Sequence, residues 1–130
     1  MPWNLPVTSE EISLLLEAGH LCRYTQHFDR AHTIFAGVRA LRPDSDVPLV
    51  ALGTVEFDQG RFASAISEYR KALELNPSSS YAYAHLGEAQ LFQMDRTAAR
   101  ESLQTALRLD PRGTSGQFAR SLLAIMELIR

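Results

Sequence analysis

The sequence predicts an all-α chain of about seven helices, arranged as antiparallel pairs that stack on one another. Three observations carry the prediction. The first is a period of 34 residues, kept by Gly19, Gly53 and Gly87 and again by Ala31, Ala65 and Ala99. The second is that Pro43, Pro77 and Pro111 repeat at the same step, each two residues after a leucine (Leu41, Leu75, Leu109). The third is a large side chain, Phe35, Tyr69 or Leu103, at one fixed place in the frame. Such self-similarity marks a repeat architecture, in which each unit buries its apolar face only by stacking on the next.

Each unit reads as two amphipathic helices with small residues where they meet. Glycine on the first helix and alanine on the second permit an approach that a larger side chain would prevent. Phe62 and Tyr69 are expected to fill the space between helices, and Ala72 to leave room for the next unit. The proline lacks an N–H and fixes φ, so the second helix ends just before it.

In chain order, Met1–Val7 (MPWNLPV) holds two prolines and the one tryptophan, and residues 1–8 read as an extended segment. Its apolar side chains Trp3 and Leu5 are placed to dock on the first helix or on a second copy. Thr8 and Glu11 have the spacing of a capping box. A first helix is predicted over Ser9–Tyr24, with Ile12, Leu15, Ala18 and Cys22 on one face. After a turn at Thr25–His27 a second runs over Phe28–Leu41. Gly37 inside it costs about 1 kcal/mol relative to alanine, unless it permits a close contact.

Asp46 is placed to cap a third helix, with Pro48 tolerated in its first turn. That helix ends near Asp58-Gln59, and Gly60 makes the turn. A fourth spans Phe62–Leu75. Ser79 or Ser80 caps a fifth over Tyr81–Gln93, and a sixth spans Arg96–Leu109. The last segment, Ser115–Arg130, has Phe118, Leu122, Ile125, Met126 and Ile129 on one face. It would cover the third unit, and its surplus apolar residues point to a homo-oligomer, such as a homodimer, or to a bound partner helix. The expected self-association residues are Trp3, Leu5, Phe118, Leu122, Met126 and Ile129. Residues 9–130 thus read as a single domain of repeats 12–45, 46–79 and 80–113 with a capping helix at 114–130.

Composition narrows the function. A chain of 130 residues can bury one continuous core. A formal charge of −2 and a pI near 6.1 leave no electrostatic footprint for nucleic acid. Cys22, the one cysteine, cannot form an internal disulfide and reads as a packed thiol. No basic start followed by an apolar core is visible, and no stretch approaches the roughly 20 apolar residues of a membrane span. The cytoplasm is the expected compartment. His20, His27, His32 and His85 are dispersed: His27 and His32 are five apart, which is not a helical ligand spacing, and His85 has no Cys or His at i+4. Phosphate loops and nucleophile motifs are absent, and Glu10-Glu11 sits at a helix start, where it favours the dipole. Neither an enzyme nor a cofactor or metal site is expected.

The middle unit, LGTVEFDQGRFASAISEYRKALELNP from Leu52 to Pro77, resembles the tetratricopeptide repeat. Leu52-Gly53, Gly60, Phe62, Ala65, Tyr69, Ala72 and Pro77 stand at the family's positions. The third copy keeps Leu86-Gly87, Ala99, Ala106 and Pro111, but has Met94 and Arg96 in place of Gly60 and Phe62. The first keeps Gly19, Phe28, Ala31, Phe35 and Pro43, with Ala18 and Val38 in place of leucine and alanine. The resemblance covers Ile12 to about Arg112.

It implies a right-handed superhelix whose first helices line a concave groove for an extended peptide or a helix of another protein. Carried over residue by residue, the lining is Leu16, His20, Arg23 and Tyr24 in the first repeat. The second supplies Val47, Val50, Thr54, Phe57 and Asp58, and the third Tyr81, Ala84, Glu88, Leu91 and Phe92. This lining departs from the family's chaperone-tail binders, which clamp a terminal carboxylate with lysine, asparagine and arginine. Leu16, His20 and Val50 lie where that clamp would begin. The expected partner is an apolar segment of another protein, anchored by Tyr and Phe and oriented by Arg23 or Glu88. In size, acidity, repeat number and closing helix the chain also resembles the chaperones of bacterial type III secretion, though it lacks a clear extra N-terminal helix.

Overall fold

The structure, a computed structural model, describes residues 6–129, so Trp3 and Leu5 lie outside it. The described residues form seven helices and no strand: α1 (Ser9–Tyr24), α2 (Phe28–Leu41), α3 (Val47–Asp58), α4 (Phe62–Leu75), α5 (Ser80–Phe92), α6 (Arg96–Leu109) and α7 (Thr114–Leu128).

Local chemistry sets most of these bounds. The Thr8 hydroxyl accepts from the Glu11 N–H at 3.1 Å, and the Glu11 carboxylate accepts from the Thr8 N–H at 3.2 Å. These reciprocal bonds satisfy two donors that the first turn of α1 would otherwise leave free. The Ser79 hydroxyl accepts from the Ala82 N–H at 3.0 Å and starts α5 one residue earlier than expected. The helices α2, α4 and α6 stop at Leu41, Leu75 and Leu109, two residues before each proline. Turns between paired helices place Gln26, Gly60 and Met94 at φ of 64°, 77° and 66°. Only the middle copy has the glycine that this left-handed conformation favours.

Asp46 does not cap α3. Its carboxylate accepts instead from the Ser79 hydroxyl at 2.5 Å, tying the start of α3 to the start of α5. The Ser45 hydroxyl takes the Val47 N–H at 3.2 Å.

The repeated glycines make room for side chains of the facing helix. A Cβ at Gly19 would lie 2.3 Å from the Phe35 ring, one at Gly53 2.3 Å from the Tyr69 ring, and one at Gly87 2.6 Å from Leu103. Phe35, Tyr69 and Leu103 are fully buried in these slots. Gly37 is different: nothing lies within 4 Å of the place a Cβ would take, so no close contact requires it.

The same slot corrects the predicted face of α1. Gly19 is its buried residue, while Leu15 and Ala18 are exposed. Turning Gly19 onto Phe35 carries those two outward and leaves Ile12, Leu16, His20 and Cys22 half-buried.

Each helix packs on the next in the chain, and α1 also touches α3, α3 touches α5, and α5 touches α7. No such contact joins α2 to α4 or α4 to α6. The odd-numbered helices are therefore the inner, closely spaced row of a curved stack, and their free faces form its concave side. The core runs between the two rows, from Ala31, Phe35 and Val55 through Tyr69 and Leu86 to Leu103 and Ala119.

Candidate functional site: the concave face

A cavity of about 350 Å³ opens on the inner row, with walls from all four odd helices. Helix α1 gives Arg23 and Tyr24, α3 gives Thr54, Phe57 and Asp58, α5 gives Tyr81, His85 and Glu88, and α7 gives Thr114, Ser115 and Phe118. A second hollow of about 490 Å³ continues from it past Phe28, Phe62 and Phe92. The rings of Phe57 and Phe92 meet edge-on at 5.0 Å, and Phe62 packs against both. A third cavity, about 350 Å³ and strongly apolar, lies beyond Phe92 among Leu91, Met94, Leu122, Ile125, Met126 and Ile129.

Charge in the first cavity is organised around Arg23. Its Nε lies 2.6 Å from an Asp58 carboxylate oxygen, an ion contact without the alignment of a hydrogen bond. Nη1 meets His20 Nδ1 at 3.1 Å, and the guanidinium carbon lies 4.8 Å from the Tyr24 ring centre. Burial, then the nearby Arg23 charge, lowers the His20 pKa to about 4. Burial raises Asp58 above the ordinary carboxylate range, with Arg23 opposing and Glu88 adding to the rise. On the facing wall, His85 Nδ1 lies 3.4 Å from Glu88, and the His85 ring packs between Tyr81 at 5.0 Å and Phe118 at 5.2 Å. Burial pushes Tyr81 up to about 12. Tyr69 is fully buried, and its hydroxyl has no hydrogen-bond partner among the described residues.

Residues 53–93 match the sequence pattern of the TPR repeat, and residues 80–112 match that of the tetratricopeptide repeat. The chain belongs to the tetratricopeptide repeat family. It is 30% identical over 126 residues to the protein CTR9 homolog of Arabidopsis thaliana, an alignment covering 94% of this chain and 11% of that protein. The fold matches the first TPR of Spaghetti (RPAP3) bound to the HSP90 peptide SRMEEVD. That likeness has a TM-score of 0.72 at 22% identity, over 97% of this chain and 98% of the other. It also matches the type III secretion chaperone SycD of Yersinia enterocolitica in complex with a peptide of the translocator YopD. There the TM-score is 0.72 at 18% identity, over 93% and 95% of the two chains.

The tetratricopeptide-repeat frame sorts the expected lining. Arg23, Tyr24, Thr54, Phe57, Asp58, Tyr81 and Glu88 share the first cavity. Leu91 and Phe92 stand further along, at the third. Leu16 packs half-buried against the core of the first repeat, His20 against Phe35, and Val47 is half-buried at the start of α3, apart from these cavities. Val50 and Ala84 do not line the groove: both are fully buried, Val50 beside Tyr69 and Leu86, Ala84 beside Leu103 and Ala119. They occupy one column of the frame with Leu16 and Phe118. In the middle of the stack that column is covered by the neighbouring helix, and only at the ends does it open.

The expected self-association face also divides. Met126 is buried against the third repeat, Leu122 is half-buried, and Phe118 belongs to the concave cavity. Ile129 is exposed, with its carbonyl accepting from Arg96. Sequence reasoning missed His85, Thr114 and Ser115. The signal for His85 was present, since it lies four residues after Tyr81 and three before Glu88, on one helix face. Among the described residues, no cluster of three metal-ligating side chains occurs, and no helix is long and apolar enough to cross a membrane.

Proposed function

We propose that this chain is a non-enzymatic protein–protein interaction module that holds an apolar segment of a partner on its concave face. The observation carrying the reading is the first cavity, which gathers Phe57, Tyr81 and Phe118 from three helices around a space large enough for one or two side chains. The likeness to TPR domains solved with peptides supports it. A role as a type III secretion chaperone is the finer form of the same reading, favoured by the likeness to SycD. Phe57→Ala combined with Tyr81→Ala is expected to abolish peptide binding in calorimetric titration. Unchanged affinity would remove the concave face from the function.

A second reading, self-assembly through the α7 end, is favoured by the apolar rim of the third cavity. Phe92 is 56% exposed, Met94 79% and Ile129 53%. A mass that rises with concentration in sedimentation would support it, and a constant monomer mass would discard it.

A further inference from the structure

The first cavity is aromatic in its walls and unbalanced in its charge. Two carboxylates, Asp58 and Glu88, face one permanent cation, Arg23. That cation is already engaged, held 2.6 Å from Asp58 and stacked on Tyr24. Glu88 has the His85 imidazole at 3.4 Å, a contact that carries opposite charge only when the ring is protonated. With His85 neutral, one negative charge in the cavity has no permanent counterpart. Its side chain is only 18% exposed, so water screens that charge poorly and an incoming opposite charge is favoured. Phe57, Tyr81 and Phe118 stand around it, and aromatic faces attract a desolvated cation while accepting the stem that carries it. A carboxylate entering the same space would meet Asp58 and Glu88 and be repelled.

We propose that the side chain entering this cavity is basic, an arginine or lysine set between apolar residues of the bound peptide, with its charge against Glu88. This rests on the peptide-binding reading above and adds to it the chemistry of the anchor. The backbone on either side would lie along the apolar surface that continues past Phe57 to Phe92.

The test is a synthetic library of random seven-residue peptides, acetylated and amidated at their ends, selected on the full chain. The pool is expected to carry arginine or lysine at one fixed place between apolar residues. A consensus peptide is then expected to bind Glu88→Gln about tenfold more weakly, while that variant keeps the parent's thermal midpoint. A pool with only apolar residues, or with Asp or Glu at the fixed place, overturns the basic anchor but leaves peptide binding standing. Affinity for Glu88→Gln within twofold of the parent overturns it as well. A pool no richer than that from a blank surface overturns both readings.

Discussion

Helices α1 and α3 hold the same place in the repeat, yet they are buried to very different degrees. Every residue of α3 from Pro48 to Val55 is buried, whereas Gly19 is the buried residue of α1. The cause is position in the stack. Among the described residues, helix α3 packs on α1 and α2 on one side and on α4 and α5 on the other, while α1 packs on α2 and α3 alone. Leu14 and Leu21 on its outer face are consequently exposed. In a one-dimensional array, stability is a sum over units and their interfaces, so a helix with neighbours on one side opens at lower free energy. The concave cavity is built across this gradient. Phe57 and Thr54 stand on a helix packed on both sides, and Arg23 and Tyr24 on one packed on a single side.

The contrast is broken most strongly at Tyr69. Tyr69→Ala empties the slot over Gly53 and is expected to cost about 3–5 kcal/mol, whereas Leu21→Gln on α1 stays within about 0.5 kcal/mol. Equal losses in urea unfolding would mean the stack is not graded. Ala65→Leu overpacks the fully buried contact between α3 and α4 and is expected to cost about 1–3 kcal/mol. An unchanged urea midpoint would put α4 in a different register.

Two smaller effects sharpen the picture of the first repeat. His20 titrates near 6.5 when unfolded, but near 4 in the fold, chiefly because it is buried. The folded chain therefore refuses a proton that the unfolded chain accepts. Stability is expected to fall as pH drops from about 6.5 toward about 4, and His20→Gln to flatten that part of the profile. Urea midpoints at pH 7 and pH 4.5 check this, and a decline equally steep in the variant would assign it elsewhere. Gly37→Ala, in the interior of α2 with open space at its Cβ, is expected to gain up to about 1 kcal/mol. A lower thermal midpoint would show a contact that the structure lacks.

The helices were legible because their signals are local. Thr8 with Glu11, the three prolines and the glycine slots each act within a few residues or at a fixed period. The concave lining was less legible, because coverage depends on what stands beside a helix. Val50 and Ala84 are sealed by neighbours that their own sequence does not announce, while Phe118, one frame on, is open. Asp46 was misassigned for the same reason: its partner Ser79 is 33 residues away, beyond the reach of capping rules. Ser115, the counterpart of Tyr81 one period later, was within reach of the frame but lay past the last recognisable repeat.

The most direct test of the central claim is to map a library-selected peptide on the labelled chain by nuclear magnetic resonance, following backbone amide and aromatic shifts. The account predicts that the largest perturbations fall on Tyr24, Phe57, Tyr81 and Phe118, the aromatic walls of one cavity drawn from four helices. Perturbations confined to α2, α4 and α6, or to Ile125–Ile129, would contradict it.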